Sequence, residues 1–395
     1  ALTELLRELP RFAFHADLAR VLGREPAELA ARGEFGAILD ALLGAGGLDY
    51  ERQPKALIKF HADGASGRTP LEEHLVEAVH LTRDGRDACR LHFTLSAEHH
   101  AAVAAELEAA VARQKRALGV VFEIGLSGQH PSTDTVALDD EGRLLRDGHD
   151  RLVLRPGGHG ALIENLGQLG ADLVFVKNID NVQPDRAKPE AMRWKQALAG
   201  YLLELEQERA QHLESLRDPA PPAHALEAAE RFARHRLHAD GEGSGREALI
   251  ARLDRPLRVC GVVANTGEPG GGPFWVRSSA GAVSLQLVES AEVDPRDPAQ
   301  QAILRSATHF NPVDLVCAVR DAAGRPYDLR RFVDPEAAIV SKKHIAGRDV
   351  TVLERPGLWN GAMAGWNTVF VEVPLSTFTP VKTLLDLLRP EHAVS

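Results

Sequence analysis

The amino-acid sequence predicts an α/β protein in which a mixed, mostly parallel sheet is flanked by helices and interrupted by a helical insertion. Three observations predict it. Short apolar runs rich in β-branched residues alternate with segments of helical periodicity in the first half of the chain. A charged helical stretch without strand patterns occupies the middle. Strand patterns return from Leu257 onward. Such alternation is typical of sheets covered by helices.

The first elements are helices. The chain up to residue 50 has helical patterns, and the apolar positions of Leu29 to Leu43 repeat at helical spacing until a glycine-rich stop at residues 44–47. A further helix is predicted from Thr69 to Leu81. Thr69 suits the N-cap, Pro70 the first turn and Glu72 the third position of a capping box.

Strands and helices then alternate up to residue 185. Strands are predicted at residues 90–96, 120–126 and 172–176, and helices at 97–118 and 161–169. The run Asp172–Val176 is apolar enough to predict a fully buried strand. Residues 1–185 are therefore interpreted as the first part of an α/β core.

The pattern changes after Pro184. Residues 189–253 are helical and highly charged, with a proline-rich break at residues 218–222, so 186–255 is predicted to be a helical insertion with a solvated charged face. Residues 256–395 are predicted to complete the α/β core. Their strands are expected at 258–264, 282–289, 314–320, 350–353 and 368–373, and a last helix at 381–388.

Composition restricts the class of protein. The chain has 395 residues, is 44% hydrophobic and carries a formal net charge of −10, which excludes nucleic-acid binding by the protein as a whole. Its three cysteines lie far apart in apolar runs, as expected of buried thiols in a cytoplasmic protein. No apolar run approaches the ~18 residues of a membrane span. His99 and His100 have no third ligand at standard spacing, which argues against zinc.

The strongest local signal is the run Arg155-Pro-Gly-Gly-His-Gly-Ala-Leu162, which opens a predicted helix. Glycine lets a ligand lie against the backbone, and a helix N-terminus offers free N–H groups to an anion. Gly157, Gly158, His159 and Gly160 are therefore candidates for nucleotide binding. The alternative is a tight loop without a ligand.

Polar residues follow predicted secondary structure at three other places. Asp180 lies just beyond a predicted strand, where a carboxylate can hold Mg²⁺ and through it phosphate oxygens; an Asx turn is the alternative. Lys55 is a candidate phosphate cation, or an ordinary surface lysine. Arg68 and Thr69 end a loop that either wraps an anion or is merely flexible.

Three later loops offer substrate contacts. The glycine-rich loop 265–273, which contains Glu268, follows a strand and is expected to close over a ligand. Asn311 opens another strand and offers polar atoms to sugar hydroxyls. Asn367 stands beside Trp366, whose ring suits stacking on a sugar or base, although a core position is the more common use of Trp.

These motifs together resemble two families. Pro54-Lys55, the Pro-Gly-Gly-His-Gly run at 156–160, Asn178-Ile-Asp-Asn181 and Phe378-Thr-Pro-Val-Lys-Thr383 occur in the order seen in eukaryotic-type UDP-sugar pyrophosphorylases. Nearly the whole chain is similar to the bacterial family of unknown function called DUF4301. Its typical segments are represented here by residues 68–77, 131–135, 155–165, 266–275 and 366–373.

The resemblance implies a nucleotidyltransferase-like (GT-A or Rossmann-like) sheet and the reaction of a nucleoside triphosphate with a sugar 1-phosphate, with Mg²⁺ as cofactor. Lys55 and Lys382 would neutralise phosphates, and Asp180 would bind Mg²⁺. The glycine turn and Asn181 would meet the nucleotide. Glu289 and Asn311 would read the sugar. The other predicted substrate contacts are Arg68, Thr69, Glu268 and Asn367, singled out above.

One motif departs from the pyrophosphorylase pattern. Their Gly-Gly-x-Gly-Thr-Arg loop is not present, since Gly44-Ala-Gly-Gly47 lacks the following Thr-Arg. The chain starts at Ala1 rather than Met, and we expect either that such a loop precedes it in a longer protein or that the protein lacks the loop. Two alternatives stay open: a non-catalytic binder of nucleotides or sugar phosphates, and a metal-dependent phosphohydrolase.

Overall fold

Helices and strands occur along the chain in nearly the predicted order. The structure is a computed structural model that describes residues 2–63, 66–222, 224–239, 245–267, 270–278, 281–311, 314–345 and 348–393. Glu268, a predicted substrate contact, lies outside these described residues.

The α-helices are α1 (Leu2–Arg7), α2 (His15–Leu22), α3 (Pro26–Ala31), α4 (Phe35–Leu43), α5 (Pro70–Leu81), α6 (His100–Leu118), α7 (Ile163–Gln168), α8 (Lys188–Arg217), α9 (Ala225–His235), α10 (Arg246–Leu253) and α11 (Pro298–Arg305). The strands are β1 (His61–Asp63), β2 (Ser66–Arg68), β3 (Ala88–Leu95), β4 (Val121–Gly128), β5 (Thr135–Leu138), β6 (Leu154–Arg155), β7 (Leu173–Lys177), β8 (Leu257–Ala264), β9 (Gly272–Arg277), β10 (Val283–Val288), β11 (His309–Phe310), β12 (Asp314–Ala318), β13 (Ile339–Ile345), β14 (Arg348–Glu354) and β15 (Asn367–Glu372).

Local signals placed the start of α5 correctly, whereas two other helix predictions were wrong. The capping box of α5 forms as predicted, because the Thr69 side chain accepts from the Glu72 backbone while the Glu72 carboxylate accepts from the Thr69 backbone. The single helix predicted over residues 29–43 is two, and Gly33, at φ +73°, lies between them. A left-handed residue cannot continue an α-helix. The predicted final helix is only a 3₁₀ turn at Leu384–Leu388.

The chain folds into two compact units. The first comprises residues 1–128, 178–196 and 375–395, and the second residues 129–177 and 197–374. The predicted insertion 186–255 is therefore divided between them at residue 196, and the three predicted segments stay a prediction.

The first unit has two packed regions. In one, β3 and β4 pair in parallel, and α5 and α6 pack against them through buried residues such as Leu75 and Leu107. In the other, helices α1–α4 surround an aromatic and aliphatic core that includes Phe14 and Ile38. Val182 and Val381 join that second core, which ties the segments 178–196 and 375–393 to the N-terminal helices.

The second unit is built on a five-stranded sheet. Its strand order is β11-β8-β12-β7, and β15 pairs with β8 on the remaining side. The central strands β8 and β12 are almost wholly buried, as their apolar sequences predict. Strand β7 was predicted to be fully buried, but it pairs only with β12 among the described strands and its five residues are half-buried.

Two smaller sheets complete the second unit. Strands β9 and β10 form an antiparallel hairpin. Strands β13, β14, β5 and β6 form a four-stranded sheet in that order. Val350 and Val352 of β14 pack with Ala137 of β5 on the buried face of this sheet.

The α/β class is confirmed, whereas the pairing differs from the prediction. Among the described strands, only β3–β4 and β8–β15 are parallel pairs, and every other pair is antiparallel. The sheets are thus mixed rather than mostly parallel. Alternation of helix and strand patterns shows where elements lie, but not which strands become neighbours.

The charged helix α8 corrects another expectation. Its run Leu203–Arg209 was predicted to be a solvated face, yet Arg209 is 1% exposed. Its guanidinium donates to the Leu253 carbonyl at 3.3 Å and pairs with Glu206 at 2.7 Å. The arginine therefore holds the end of α10 against α8, while Leu203 is exposed.

The structure shows the environment of the three cysteines and the apolar character of the helices. Cys89, Cys260 and Cys317 are free and buried, as predicted, and burial raises the pKa of the Cys260 thiol to about 11. Over the part of the chain that the structure describes, no helix has both the length and the apolar character of a bilayer span.

Candidate functional site

Two lysines and one aspartate, distant in sequence, meet in the first unit. The Lys55 ammonium donates to Asp180 Oδ2 at 2.7 Å and to the Val381 carbonyl at 2.8 Å. The Lys382 ammonium lies 3.4 Å from the same Asp180 oxygen. Lys55, Asp180 and Lys382, the three residues predicted to be catalytic, thus form one cluster, which we call the lysine–aspartate cluster.

The charges of this cluster are unbalanced. Two ammonium groups share one carboxylate, which leaves a formal charge of +1. The Asp180 side chain is 8% exposed, whereas those of Lys55 and Lys382 are 40% and 63% exposed. The carboxylate therefore lies beneath two cations that solvent can reach, an arrangement that attracts an anion.

Backbone pairing places the cluster. Pro54 has an extended backbone and precedes a 3₁₀ turn at Lys55–Leu57, so Lys55 projects from the start of that turn. The Val381 N–H donates to the Asp180 carbonyl at 3.1 Å. The segments carrying Asp180 and Lys382 are therefore neighbours through their main chains, and their side chains meet as a consequence.

Asn181, predicted to contact a nucleotide, has a structural contact in the first unit. It is 1% exposed, and its Oδ1 accepts from the Thr379 N–H at 2.9 Å. Asn181 and Pro380 also form an isolated β-bridge. The amide thus holds the segment before Lys382 in place.

Arg68 and Thr69, predicted to contact substrate, are likewise engaged within the first unit. Arg68 forms two parallel hydrogen bonds to Asp185, at 2.7 and 2.8 Å, and a third to Asp63. The hydrogen bond from Arg68 lowers the pKa of Asp185 to about 2. Thr69 is buried and caps α5. Arg68 and Thr69 thus both have partners within the first unit, and their contact with a substrate stays a prediction.

Sequence reasoning missed a buried polar network in the first unit. Glu73 accepts from His61 Nδ1 at 2.6 Å and pairs with Lys188. His61 Nε2 lies 2.8 Å from His392 Nδ1, and His392 Nε2 lies 3.0 Å from the Thr379 carbonyl. We call His61, Glu73, Lys188 and His392 the histidine network. These partners are up to 331 residues apart, so spacing carried no signal for it.

The glycine turn belongs to the second unit and has a packing reason. A Cβ on Gly160 would lie 1.9 Å from the Pro356 carbonyl oxygen, and one on Gly157 would lie 2.5 Å from that of Thr133. Gly158 has φ +78°. The glycines therefore allow close approach of protein backbone, which supports the tight-loop alternative for Gly157 and Gly160.

His159 stands at the edge of this turn. Its ring stacks on Trp359, with ring centroids 4.4 Å apart and planes 17° from parallel. Its Nδ1 accepts from the Leu358 N–H at 3.0 Å, and its Nε2 lies 3.5 Å from Glu289 Oε1. His159 and Glu289, predicted to contact the base and the sugar, are thus neighbours.

Glu292, which sequence reasoning missed, and Asn360 support this second cluster. Glu292 accepts from the Glu289 N–H at 2.7 Å and from Asn360 Nδ2 at 3.1 Å. Burial raises the pKa of the Glu292 carboxyl. Asn360 is 2% exposed and also donates to the Leu287 carbonyl. We call His159, Glu289, Glu292, Trp359 and Asn360 the histidine–glutamate cluster.

The remaining predicted contacts of the second unit are buried. Asn367 is 3% exposed and its amide donates to the Arg252 carbonyl at 3.1 Å, at the end of α10. Asn311 is 6% exposed, its N–H donates to the Gly271 carbonyl, and its Oδ1 has no hydrogen-bond partner among the residues that the structure describes. Asn367 therefore has a structural contact, whereas Asn311 retains an unsatisfied acceptor.

The predicted metal ligand stands by itself. Across the described ranges, no group of three or more His, Cys, Asp or Glu side chains is placed to hold a metal ion. Asp180 would therefore supply one carboxylate, and other ligands would have to come from water or a bound phosphate. That donor set fits Mg²⁺ in phosphate sites, where the protein commonly provides one or two carboxylates.

The residues predicted to form one site are divided between the two units. Lys55, Lys382, Asp180, Asn181, Arg68 and Thr69 belong to the first, and the glycine turn, Glu289, Asn311 and Asn367 to the second. A single site that combines the two groups stays a prediction.

Comparison with known proteins gives one family. The family described as "Domain of unknown function (DUF4301)" matches residues 1–393. A comparison with curated proteins finds no match.

Among solved structures, a UDP-glucose pyrophosphorylase mutant from Leishmania major in complex with UDP-glucose is 17% identical, with a TM-score of 0.46, covering 85% of this chain and 60% of that one. A UDP-N-acetylglucosamine pyrophosphorylase from Trypanosoma brucei in complex with an inhibitor is 15% identical, with a TM-score of 0.46, covering 85% and 61%. The chain thus spans about three fifths of the length of these structures.

Proposed function

This chain belongs to the DUF4301 family, and from that premise we propose that it is a Mg²⁺-dependent nucleotidyltransferase that acts on a sugar 1-phosphate or a similar phosphorylated substrate. The observation that carries the proposal is the lysine–aspartate cluster. Two exposed cations over one buried carboxylate form the arrangement that a polyphosphate and its metal ion require. The reaction class is the one implied by the motifs that contain Lys55, Asp180 and Lys382.

The reaction proceeds by substitution at phosphorus. A phosphate oxygen of the sugar 1-phosphate attacks the α-phosphorus of the nucleoside triphosphate. A bond from that phosphorus to the α,β-bridging oxygen breaks, and pyrophosphate leaves with the electron pair. Charge on the non-bridging and leaving oxygens must be neutralised, and little covalent help from protein groups is needed.

The cluster performs this task by exchanging partners. Both ammonium groups lie against Asp180 Oδ2, at 2.7 and 3.4 Å. An arriving polyphosphate offers them stronger, multiply charged acceptors, so Lys55 and Lys382 turn toward its oxygens. That movement frees the Asp180 carboxylate for a cation.

Mg²⁺ supplies a further positive charge on the phosphate oxygens when it is bound. Asp180 would hold it, with the remaining ligands from phosphate and water. Because both ammonium groups contact the Asp180 oxygen that a metal ion would need, we expect metal binding to depend on a nucleotide that draws them away. Lys55 and Lys382 bind and orient the phosphates.

The test is a thermal-shift panel of nucleoside triphosphates, with and without Mg²⁺, for the wild type and for Asp180→Asn, Lys55→Met and Lys115→Met. Lys115 is an exposed lysine of α6 and serves as the control. A nucleotide at one hundred times its Kd stabilises the native state by about 2.7 kcal/mol. We expect that shift for the wild type and the control, its loss in Lys55→Met, and loss of its Mg²⁺ dependence in Asp180→Asn.

Turnover is measured as pyrophosphate release from the triphosphate that binds, in the presence of candidate sugar 1-phosphates. Nucleotide binding without pyrophosphate release would support the non-catalytic binder instead. Release of inorganic phosphate without an acceptor would support the phosphohydrolase. The absence of any nucleotide-dependent stabilisation would overturn the proposal.

A further inference from the structure

The histidine network lies in the first unit and reaches the segment that carries Lys382. Glu73 is fully buried on α5, and His61, Lys188 and His392 are each 3% exposed. Charged groups at such depth are costly unless they are paired and hydrogen-bonded. The network ends in a hydrogen bond from His392 to the Thr379 carbonyl, in the segment that leads to Lys382.

The hydrogen bonds determine where the protons must be. The Thr379 carbonyl can only accept, so His392 Nε2 carries the proton of that 3.0 Å contact. A neutral His392 then has a bare Nδ1, which accepts from His61 Nε2 at 2.8 Å. Glu73 accepts at 2.6 Å from the other ring nitrogen of His61. In this arrangement His61 donates from both ring nitrogens, to Glu73 and to His392.

The charges around His61 support this assignment. Burial raises the pKa of Glu73, but the hydrogen bond from His61 and the charge of Lys188 outweigh burial and bring it below its ordinary value. With His61 charged, three cations face three carboxylates. They are the cations His61, Arg68 and Lys188 and the carboxylates Asp63, Glu73 and Asp185. The formal charges of this group then sum to zero, with Glu73 buried and with Asp63 and Asp185 exposed at its edge.

Further hydrogen bonds hold the backbone of residues 377–379. Gln183 donates to the Thr377 carbonyl at 2.9 Å and to Thr379 Oγ1 at 3.2 Å. Thr379 Oγ1 donates to the Val182 carbonyl, and the Thr379 N–H donates to Asn181. Thr379 is thus held on its N–H, hydroxyl and carbonyl, three residues before Lys382. The carbonyl contact is the one that the histidine network provides.

We propose that the His61–Glu73–Lys188–His392 network is a positioning device that holds the Thr379–Lys382 segment so that Lys382 and the Val381 carbonyl meet Asp180 and Lys55. This inference rests on the proposed function for its consequence, because the cluster is positioned for a polyphosphate. The four residues contact one another and the Thr379 carbonyl, three residues before Lys382. They act through the backbone between Thr379 and Val381.

The test uses the full chain and begins with a readout that needs no substrate. Amide hydrogen exchange of residues 377–383 is compared among the wild type, His392→Phe, His392→Gln and Leu107→Ala. Phenylalanine removes both ring hydrogen bonds, glutamine retains a donor for the Thr379 carbonyl, and Leu107 is a buried α6 residue of the same unit but of a separate core cluster. We expect exchange at the Thr379 and Val381 amides to become at least tenfold faster in His392→Phe, with partial rescue in His392→Gln.

The control removes the effect of general destabilisation. Leu107→Ala is expected to lower the melting temperature while leaving exchange at residues 377–383 close to that of the wild type. A ¹⁵N NMR spectrum of histidine-labelled protein is expected to show one imidazole with both nitrogens protonated near neutral pH, and to lose that pattern in Glu73→Gln. Equal acceleration in Leu107→Ala and His392→Phe, or no acceleration in His392→Phe, would overturn the positioning role.

Nucleotide affinity separates this inference from the proposed function. If the wild type binds a Mg²⁺-nucleotide, His392→Phe is expected to weaken that binding at least tenfold, and Leu107→Ala less than twofold. A wild type that binds no nucleotide would overturn the proposed function, while the exchange and NMR results would still decide the positioning role. Unchanged affinity in His392→Phe would show that the network does not serve the cluster.

Discussion

At the scale of single residues, His392 links the C-terminal segment to the core through its neutral form. Burial, followed by the nearby charge of His61, lowers the pKa of His392 from 6.5 to about 4, and Asp386 and Arg389 contribute opposing smaller effects. A proton on Nδ1 would place it against the donor nitrogen of His61 at 2.8 Å. The fold therefore resists protonation of this ring.

This resistance predicts a pH dependence of stability. Unfolded His392 takes up a proton near pH 6.5, but folded His392 does so only near pH 4, so the unfolded state binds more protons between these values. The free energy of unfolding is then expected to fall as pH falls from 6.5 to 4, by up to about 1.4 kcal/mol per pH unit. Urea denaturation of the wild type and of His392→Gln measures the difference. Parallel pH profiles would contradict the assignment.

Gly160 has to be glycine for a steric reason, because protein backbone packs directly against its Cα. The Cβ of an alanine would lie 1.9 Å from the Pro356 carbonyl oxygen, so the backbone must separate. Gly160→Ala is expected to destabilise the protein by about 2 kcal/mol or more. In contrast, Gly200→Ala, within α8 and without any atom near the added Cβ, is expected to stabilise it by up to about 1 kcal/mol. Thermal unfolding of both variants tests the pair, and equal effects would be inconsistent with the packing reason.

At the scale of elements, α5 begins where its sequence specifies. Thr69 and Glu72 close the capping box, and Glu72 also pairs with Arg113 of α6 at 2.9 Å. The helix start is thereby joined to its neighbour as well as capped. This helix also carries Glu73, so the capping box and the histidine network share one turn.

Thr69→Ala is expected to cost about 1 kcal/mol, since the hydroxyl that caps the helix is lost, and Thr69→Ser is expected to cost much less. Chemical denaturation measures both. If Thr69 also contacts substrate, the affinity of Thr69→Ala for a nucleotide or sugar phosphate would fall by more than its lost stability explains. Unchanged affinity at temperatures well below unfolding would leave only the structural role.

Strand pairing shows which element-level predictions succeed. The positions of β3, β4, β8 and β15 follow from their apolar patterns, and these strands do form the two parallel pairs described above. Strand β12 has an equally apolar pattern but lies antiparallel to both β7 and β8. An apolar run indicates burial on both faces and carries no information about direction.

At the scale of the whole molecule, the chain has a formal net charge of −10, whereas the lysine–aspartate cluster has a formal charge of +1. Long-range repulsion would oppose the approach of the proposed polyphosphate, and short-range attraction at Lys55 and Lys382 would favour its binding. Salt screens both, but the contact pairs in the cluster dominate affinity because the remaining charges are spread over the surface.

Nucleotide affinity is therefore expected to fall several-fold as KCl rises from about 0.05 to 0.3 M, since the Debye length is already near 10 Å at 0.1 M and shortens further. Lys382→Met is expected to flatten this dependence, because it removes the more exposed of the two cations. Titration calorimetry at several salt concentrations measures it. An affinity that increases with salt would show that overall repulsion, rather than the cluster, controls binding.

The sequence by itself determined the α/β class, most element positions, the burial of the three cysteines and, through short motifs, the residues of the lysine–aspartate cluster. Each of these features depends on residues close together in the sequence, or on the order of motifs along the chain. Only the tertiary structure decided the strand directions, the burial of Arg209 and the network that joins His61 to His392. Those features depend on contacts between residues tens to hundreds of positions apart, whose energies come from burial and pairing that no local pattern records.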